Sequence, residues 1–372
     1  MALFKKSRPA IPKPTQHLLW LRAGGRCEFR GCNEILYEDN VTKDPINGSN
    51  IAHIISWTKT GPRGDEVRSP KLATDISNLM LLCPRHNKLI DSTDYVKSYP
   101  ESLLHEMKEE HEALVRDCTE MIKQLPKCVI ELIGMIQGQK ASITPKEEAE
   151  AMLPFYPERE KITIDVSDYQ DYDEAKTAIR TKVTRHILER DGDRIYVAFI
   201  MAAIPLGCYL GYLIGNKIPV KTFQHFRDTE DWKWRNVEGA GFSIQYPAVT
   251  NRCDNVKLIV NVSGIIELSL TPHEYPVYSI QIDNPRFDAL QSWNQVLDFR
   301  KCYREVLDRI RNDHGENVTV HLFLATPNPI NFEIGKGILK NLDPTIILYD
   351  KSTEDTNYNE IMHLHDRVRM QE

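Results

Sequence analysis

Apolar residues in the first quarter of the chain form short segments separated by polar loops. The segment TQHLLWLRA at 15–23 has helical apolar spacing and begins with a threonine that can cap a helix. SNIAHIISW at 49–57 is rich in β-branched residues and predicts a strand. DISNLMLLCPRHNKLIDS at 75–92 begins with a capping Asp or Ser and predicts a helix that continues through its cysteine.

A long amphipathic helix and a proline-rich segment come next. Residues 100–124 predict the helix, whose apolar side is formed by Leu103, Leu104, Met107, Leu114 and Cys118. Prolines become frequent over 126–160, so we place the link between domains there. The predicted organisation is a first domain over 1–97, a helical connector and linker over 98–159, and a second domain over 160–372.

The second half alternates between apolar strand patterns and helical patterns. RIYVAFIMAAIP, VKLIVNVSG, VTVHLFLATP and PTIILYD have the near-continuous apolar character of strands in a parallel sheet covered on both faces. The order of strands and helices suggests two Rossmann-like units in one domain. The chain lacks the GxGxxG fingerprint, which counts against an NAD enzyme. We therefore expect an α+β multidomain protein with an α/β second domain.

Composition limits the class of protein. The chain has 372 residues, 41% of them hydrophobic and 27% charged, which is typical of a soluble protein of two or three domains. No apolar run approaches the length of a membrane span, and the N-terminus lacks the apolar stretch of a secretory signal. We expect a cytoplasmic protein, in which eight cysteines indicate metal ligands and buried thiols.

Charge is unevenly distributed along the chain. The net charge is −6, but residues 1–97 hold 15 Lys and Arg against 10 Asp and Glu. The first domain is therefore +5 and the remainder −11. A basic first domain suits a module that contacts a polyanion, since phosphate contacts supply most non-specific affinity for nucleic acid.

Four residues in two closely spaced pairs have the spacing of zinc ligands. These are Cys27 and Cys32, with four residues between them, and Cys83 and His86, with two residues between them. Zn²⁺ prefers tetrahedral coordination by sulfur and nitrogen, and a site closed by four protein ligands is structural. The remaining cysteines occur singly in apolar patterns and are expected in the core: Cys118, Cys128, Cys208, Cys253 and Cys302.

NIAHIISW followed by SNLMLLCPRHNKLID resembles the signature of HNH endonucleases, over roughly residues 15–95. The resemblance implies a zinc-stapled ββα-metal fold. It implies that His53 is the general base, that Asn78 fixes the geometry of the loop and the base, and that Asn87 binds the catalytic divalent ion. Histidine suits this chemistry because its ordinary pKa is near neutrality.

The catalytic metal shell departs from the family pattern in one position. Many HNH enzymes carry an Asp immediately before the base, but this chain has Ala52. Asn50 and Asp91 are candidates for the missing ligand, beside Asn87. A site with few protein ligands, completed by water, fits Mg²⁺, with Mn²⁺ as a substitute.

The substrate expected from this resemblance is double-stranded DNA. Several basic residues around the motif are placed to hold phosphates: Arg63, Arg68, Lys71, Arg85 and Lys88. Phosphate contacts position a protein without specifying a sequence, so we expect little sequence preference.

RIYVAFIMAAIPLGCYLGYLIGNKIPVKTFQHFRDTEDWKWR and HLFLATPNPINFEIGKGIL resemble the SAVED domain, a cyclic-oligonucleotide sensor of two CARF-like Rossmannoid units. The resemblance covers roughly residues 160–372. An HNH module joined to SAVED looks like an effector of bacterial CBASS anti-phage systems. That implies activation by a cyclic dinucleotide of the cGAMP type from a partner nucleotidyltransferase, assembly into a dimer or tetramer, and DNA degradation.

Aromatic and basic residues are candidates for the ligand pocket. The Trp232, Lys233, Trp234, Arg235 cluster offers faces for bases and donors for phosphates. Each tryptophan taken singly suits a packing role equally well. The strand-to-helix corners, with Ala203 and Pro205 and with Thr326 and Pro327, lie where open α/β sheets bind ligands.

Two other functions are compatible with the sequence. One is a modification-dependent restriction-type HNH nuclease, although a body of charge −11 would repel duplex DNA. The other is a non-catalytic cyclic-nucleotide sensor with a degenerate HNH module, which Ala52 keeps open.

Overall fold

The computed structural model describes residues 8–121, 124–136, 138–169, 171–189, 194–235, 237, 239–351 and 355–367. It divides into two compact units, the first ending at Gln124 and the second beginning at Leu125. The segment predicted as a connector, 98–159, is shared between them. No helix in the described ranges combines the length and the apolarity needed to cross a membrane.

The first unit is built around a short antiparallel β-ribbon and the helices beside it. Its elements are α1 (Lys13–Arg22), β1 (Asn50–His53), α2 (Arg68–Leu72), β2 (Leu79–Leu82), α3 (Pro84–Ile90) and α4 (Glu101–Glu120). In the ribbon, Asn50 lies opposite Leu82 and His53 lies opposite Leu79. Leu19 of α1 and Leu104 of α4 are fully buried in the same apolar core.

The segment predicted as one helix over 75–92 is a turn, a strand and a shorter helix. All four side chains of β2 are buried, so the segment has no polar face to present to water, and it pairs with β1. Asp75 does cap a turn, since its side chain accepts from the Ser77 amide. The helix α3 begins only after Cys83, with a proline at its first position.

Two predictions about helix details were wrong. Thr15 lies inside α1, which begins at Lys13 with no side-chain cap. In α4 the apolar side is buried only near the N-terminus, where Leu104 and Met107 enter the core. Leu114 and Cys118 are exposed, so Cys118 is not a core thiol.

The second unit begins with a parallel four-stranded sheet of order β6-β3-β7-β8. Its elements, with a small hairpin β4–β5, are β3 (Cys128–Ile133), β4 (Met135–Ile136), β5 (Gln139–Lys140), α5 (Pro145–Met152), β6 (Ile162–Asp165), α6 (Tyr172–Val183), β7 (Tyr196–Met201), α7 (Ile204–Ile214) and β8 (Val220–Phe223). In this half of the unit β8 is an edge strand, α6 follows β6 and α7 follows β7.

The other half contains a six-stranded sheet of order β14-β13-β12-β10-β11-β9. Its elements are β9 (Phe242–Gln245), β10 (Asn255–Asn261), β11 (Val277–Ile282), α8 (Trp293–His314), β12 (Thr319–Ala325), α9 (Asn328–Lys336), β13 (Thr345–Asp350) and β14 (Asn359–His365). The four central strands are parallel and both edge strands are antiparallel. The mixed α/β architecture predicted for the second half is confirmed.

Helices α7 and α9 join the two halves of the second unit through close backbone contact. A Cβ atom at Gly335 would lie 1.8 Å from the carbonyl oxygen of Cys208, and one at Gly211 would lie 2.0 Å from that of Phe332. Only glycine permits this approach, because any side chain would overlap the facing backbone.

Candidate functional site

The first pair of predicted zinc ligands lies in the turn that follows α1. Between Cys27 and Cys32 the chain reverses at Gly31, whose φ of +80° lies in the left-handed region that favours glycine. The Cys32 amide donates to the carbonyl oxygen of Phe29 at 2.9 Å. The turn therefore brings both thiols to the same side.

The second pair lies at the start of α3, next to the first. The Cys83 amide donates to Cys27 Sγ at 3.3 Å, and Cys83 Sγ lies 3.3 Å from His86 Nδ1. The Phe29 ring stacks on the His86 imidazole with 4.1 Å between centroids. The ligand atoms of Cys27, Cys32, Cys83 and His86 all lie within 4.8 Å of one another.

The chemistry of this quartet fits a structural metal. Burial raises the pKa of the Cys27 and Cys83 thiols, so both stay protonated unless a cation compensates the thiolate charge. Three thiols and one imidazole form a donor set that zinc prefers. Three of the four side chains are buried and Cys32 is half-buried, which suits a closed site.

His53 ends β1 and is held by one ring nitrogen. Its Nε2 lies 2.9 Å from the carbonyl oxygen of Ala73, which can only accept, so Nε2 carries the proton and Nδ1 keeps its lone pair. The residue is 8% exposed. Burial lowers the pKa of His53, and the nearby Arg8 guanidinium lowers it further. The imidazole is therefore neutral at neutral pH and has one nitrogen able to accept a proton.

Arg8 is a neighbour of His53 that the sequence analysis missed. Its guanidinium Nη2 donates to the Ile51 carbonyl oxygen at 2.7 Å and lies 3.5 Å from His53 Nδ1. No spacing rule relates residues 45 positions apart. An isolated arginine in a proline-rich segment also gives no indication of which residues it will contact. A cation beside the imidazole lone pair is suited to an anionic substrate group.

Asn78 holds the loop between the ribbon strands. Its buried side chain accepts from the Ile55 amide at 2.8 Å and donates to the Ile55 carbonyl at 2.9 Å and to the Leu72 carbonyl at 3.1 Å. These bonds fix the backbone that follows His53. Asn78 therefore holds the loop that follows His53.

The residues predicted to bind a catalytic cation are less favourably placed. Asn87 is half-buried on α3, and Asn50 is half-buried at the start of β1. Asp91 is engaged, because its Oδ1 accepts from Arg63 Nη2 at 2.8 Å. Ala52 is buried, and within the described ranges no second group of three His, Cys, Asp or Glu residues is close enough to surround a metal ion.

Arg63 has a structural role in place of the predicted phosphate contact. Its buried guanidinium donates to the Ile54 carbonyl at 2.6 Å and to the Ile90 carbonyl at 2.7 Å, besides pairing with Asp91. Arg68 pairs with Glu101 on α4. The other predicted phosphate contacts are exposed: Lys71, Arg85 and Lys88.

In the second unit, both predicted strand-to-helix corners lie at the carboxyl ends of parallel strands. Ala203 and Pro205 follow β7, and Thr326 and Pro327 follow β12. The Asn328 side chain donates to the Ile200 carbonyl at 2.7 Å, which ties one corner to the other. The Thr326 hydroxyl donates to Asn331, so this buried side chain already has a partner.

Residues 176–364 match the sequence model of the SMODS-associated and fused to various effectors sensor domain, abbreviated SAVED. The chain belongs to the SAVED family. The SAVED region begins within α6 and ends within β14, so it includes the strands of the six-stranded sheet together with β7 and β8.

Solved structures that are similar to the chain include three Cap4 receptor structures. One is the Acinetobacter baumannii Cap4 SAVED/CARF-domain containing receptor with the cyclic trinucleotide 2'3'3'-cAAA, at 14% identity over 82% of this chain and 71% of that chain, with a TM-score of 0.44. Another is the same receptor with 3'3'3'-cAAA, at 14% identity over 82% of this chain and 72% of that chain, with a TM-score of 0.45. The third is the Moraxella osloensis Cap4 SAVED/CARF-domain containing receptor, at 12% identity over 79% of this chain and 66% of that chain, with a TM-score of 0.42. A comparison with curated proteins finds no significant match.

The aromatic and basic cluster of the SAVED region is mostly structural. Trp232 is 2% exposed and packs edge-on against Phe199, with 5.2 Å between centroids, so it is a core residue and is not available to stack on a base. The Trp234 indole N–H donates to the Thr222 carbonyl at 2.9 Å. Arg235 pairs with Asp231 at 3.0 Å, and Lys233 is exposed.

Proposed function

We propose that the chain is a cyclic-oligonucleotide-activated, metal-dependent endonuclease of double-stranded DNA that acts as an anti-phage effector. The observation that carries the proposal is the state of His53, whose protonated Nε2 is held by Ala73 while Nδ1 keeps its lone pair. The neighbouring quartet of metal-binding residues and the β1–β2–α3 order support an HNH-type site. Membership of a sensor family supports the control of DNA cutting by a cyclic oligonucleotide.

The roles of the chain's own residues follow from their contacts. His53 Nδ1 takes a proton from the attacking water, and the bond from Nε2 to Ala73 stabilises the imidazolium that forms. Asn78 holds the backbone after His53 in place. Arg8 contacts the phosphate, since its guanidinium already lies beside Nδ1.

Two metal ions belong to the proposal. Zn²⁺ bound by Cys27, Cys32, Cys83 and His86 would stabilise the fold. Mg²⁺, or Mn²⁺ in its place, would neutralise charge on the leaving oxygen when bound near His53. Asn87 and Asn50 are the side chains we propose for it, because Asp91 is paired with Arg63.

The activator we propose is a cyclic dinucleotide of the cGAMP type, made by a partner nucleotidyltransferase. Binding to the SAVED region would drive assembly into a dimer or tetramer and release the nuclease. Because the two Acinetobacter baumannii Cap4 structures contain cyclic trinucleotides, such compounds belong in any test panel.

One plasmid assay tests the function. The full chain and Mg²⁺ are incubated with supercoiled plasmid, with and without cyclic dinucleotides and trinucleotides, and we expect smearing only with an activator. His53→Ala should reduce cutting by at least about 100-fold, since a general base contributes 10²- to 10⁴-fold. His17→Ala, an exposed histidine on α1, is the matched control.

The other outcomes identify the alternatives. Discrete or activator-independent cutting would indicate a modification-dependent restriction-type nuclease. An intact plasmid, together with measurable binding of a cyclic oligonucleotide, would indicate a sensor with a degenerate HNH module. Buried Ala52, at the position where an Asp ligand is common, is the observation that favours this second candidate.

A further inference from the structure

A cleft of about 600 Å³ lies beside the edge strand β8 in the second unit. It extends from the start of β7 to helix α8 and the end of α9. Five cationic side chains line it, and no Asp or Glu is among its lining residues: Lys127, Lys217, Lys221, Arg300 and Lys336. Because every charged residue that lines the cleft is positive, the cleft is suited to an anionic ligand.

Three of these lysines are buried or half-buried without a counter-ion. Lys127 is 8% exposed and Lys336 is 7% exposed, and Lys221 is half-buried. In the described part of the chain, none of the three has an ion pair within 4 Å. Burial lowers the pKa of Lys221 and Lys336, which means that their charge is maintained against a desolvation cost.

The acid that acts on Lys336 already has another partner. Glu333 raises the pKa of Lys336, but its carboxylate accepts two hydrogen bonds from Arg300, each of 2.5 Å. Arg300 itself opposes protonation of Lys336. An anion entering the cleft would therefore gain contact with lysines that no carboxylate pairs with directly.

An aromatic face lies among these cations. Trp293, half-buried at the start of α8, has the Lys221 ammonium 5.9 Å and the Arg300 guanidinium 5.3 Å from its ring centroid. An indole next to positive charge suits a nucleotide, because the base stacks on the ring while the phosphates meet the cations.

We propose that this cleft binds the phosphates and one base of the cyclic oligonucleotide. The proposal rests on the proposed function for the identity of the ligand. The cleft adjoins the Trp232–Arg235 cluster, since the Trp234 ring packs edge-on against Trp293 with 6.1 Å between centroids. It differs from that cluster in its residues, because Trp232 is buried in the core and Arg235 is paired. Its volume lies within the range of small-molecule sites.

Calorimetric titration of the full chain tests the cleft with two probes. These are 3′,3′-cyclic GMP–AMP, within a panel of cyclic dinucleotides and trinucleotides, and tripolyphosphate, which has charge but no base. The double variant Lys221→Gln/Lys336→Gln should weaken binding of both probes by at least about tenfold, since each lysine would make a charge-assisted contact. Trp293→Leu should weaken the cyclic compound by about tenfold and tripolyphosphate by less than about twofold.

Two further variants provide a control and a substitute for the double variant. Lys301→Gln removes the same charge from an exposed position on α8 and should bind both probes as the wild type does. If the double variant fails to fold, Lys217→Gln replaces an exposed lysine that also lines the cleft, and it should weaken both probes by a few-fold.

The outcomes separate the cleft from the proposed function. If a cyclic compound activates cutting equally well in the wild type and the lysine double variant, the cleft assignment is overturned and the proposed function stands. If no cyclic compound binds the wild type, the proposed function fails. Tripolyphosphate binding that the lysine variant loses would then still support an anion site, and unchanged binding would overturn it.

Discussion

The imidazole of His53 has one hydrogen-bonded nitrogen, Nε2, and one nitrogen that can accept a proton, Nδ1. The Ala73 carbonyl holds Nε2, and the 3.5 Å contact with Arg8 places a positive charge beside Nδ1. Burial and this charge both lower the pKa of His53. A general base of this kind works only when neutral, so its activity falls as the pH drops through its pKa.

Replacing Arg8 by Gln should shift the acid limb of the pH–rate profile to higher pH. The substitution removes a charge that lowers the pKa of His53, so the base becomes protonated at a higher pH than in the wild type. The displacement of the acid limb to higher pH is measured as kcat/KM for plasmid nicking between pH 5 and pH 9.

Lys13→Gln is the control for Arg8, because it removes the same charge from an exposed position at the start of α1. Its acid limb should coincide with that of the wild type. An unchanged limb in the Arg8 variant would show that the guanidinium does not lower the pKa of His53.

Residue chemistry was predictable where spacing along the chain carries the signal. Cys27 with Cys32 and Cys83 with His86 are recognisable because short loops bring each pair together, and the structure gathers all four. The Arg8–His53 contact and the burial of Arg63 depend on tertiary packing, so the sequence offered no sign of either. A run of basic residues looks the same whether its members face solvent or bond to backbone carbonyls.

At the scale of elements, short buried strands were hardest to predict. The run LMLL in β2 fits a helix or a fully buried strand equally well, and pairing with β1 decides between them. The strand β3 was missed because it lies in the proline-rich segment interpreted as a linker, although five of its six residues are buried. The strands β12 and β13 matched their patterns, because a long apolar run in an alternating segment leaves few alternatives.

The glycine contact between α7 and α9 provides a test of packing in the second unit. Gly335→Ala would place a methyl group 1.8 Å from the Cys208 carbonyl oxygen, so the helices must separate. We expect a loss of about 2–3 kcal/mol, typical of overpacking, and a fall of several degrees in the Tm of this unit. Thermal unfolding monitored by circular dichroism measures it.

Gly264→Ala is the matched control, because a Cβ atom there meets no atom within 4 Å. Its Tm should stay within about 1–2 °C of the wild type, as surface substitutions usually do. Equal stability of the Gly335 and Gly264 variants would mean that α7 and α9 do not approach as closely as described.

At the scale of the whole molecule, the two units are stabilised by different means. The second has extended sheets and a large core of buried aliphatic and aromatic residues. The first has a two-stranded ribbon and a small core that includes Cys27 and Cys83 themselves. A ribbon of two strands is marginal alone, so we expect the first unit to need a zinc ion bound by the quartet.

Removal of that metal should therefore unfold the first unit selectively. In differential scanning calorimetry, a zinc chelator should abolish the transition of the first unit, since structural zinc contributes on the order of 10 kcal/mol in small domains. The transition of the second unit should persist, because all four ligands belong to the first. Elemental analysis of the untreated protein should give about one zinc per chain.

Cysteine variants distinguish metal loss from general damage by the chelator. Cys83→Ser should reproduce the loss of the first transition without chelator, because a serine hydroxyl does not replace a thiolate ligand. Cys118→Ser changes an exposed thiol outside the quartet and should retain both the zinc and the transition. A Cys83 variant that keeps both would show that the quartet binds no metal, and the stability of the first unit would then have to come from its apolar core alone.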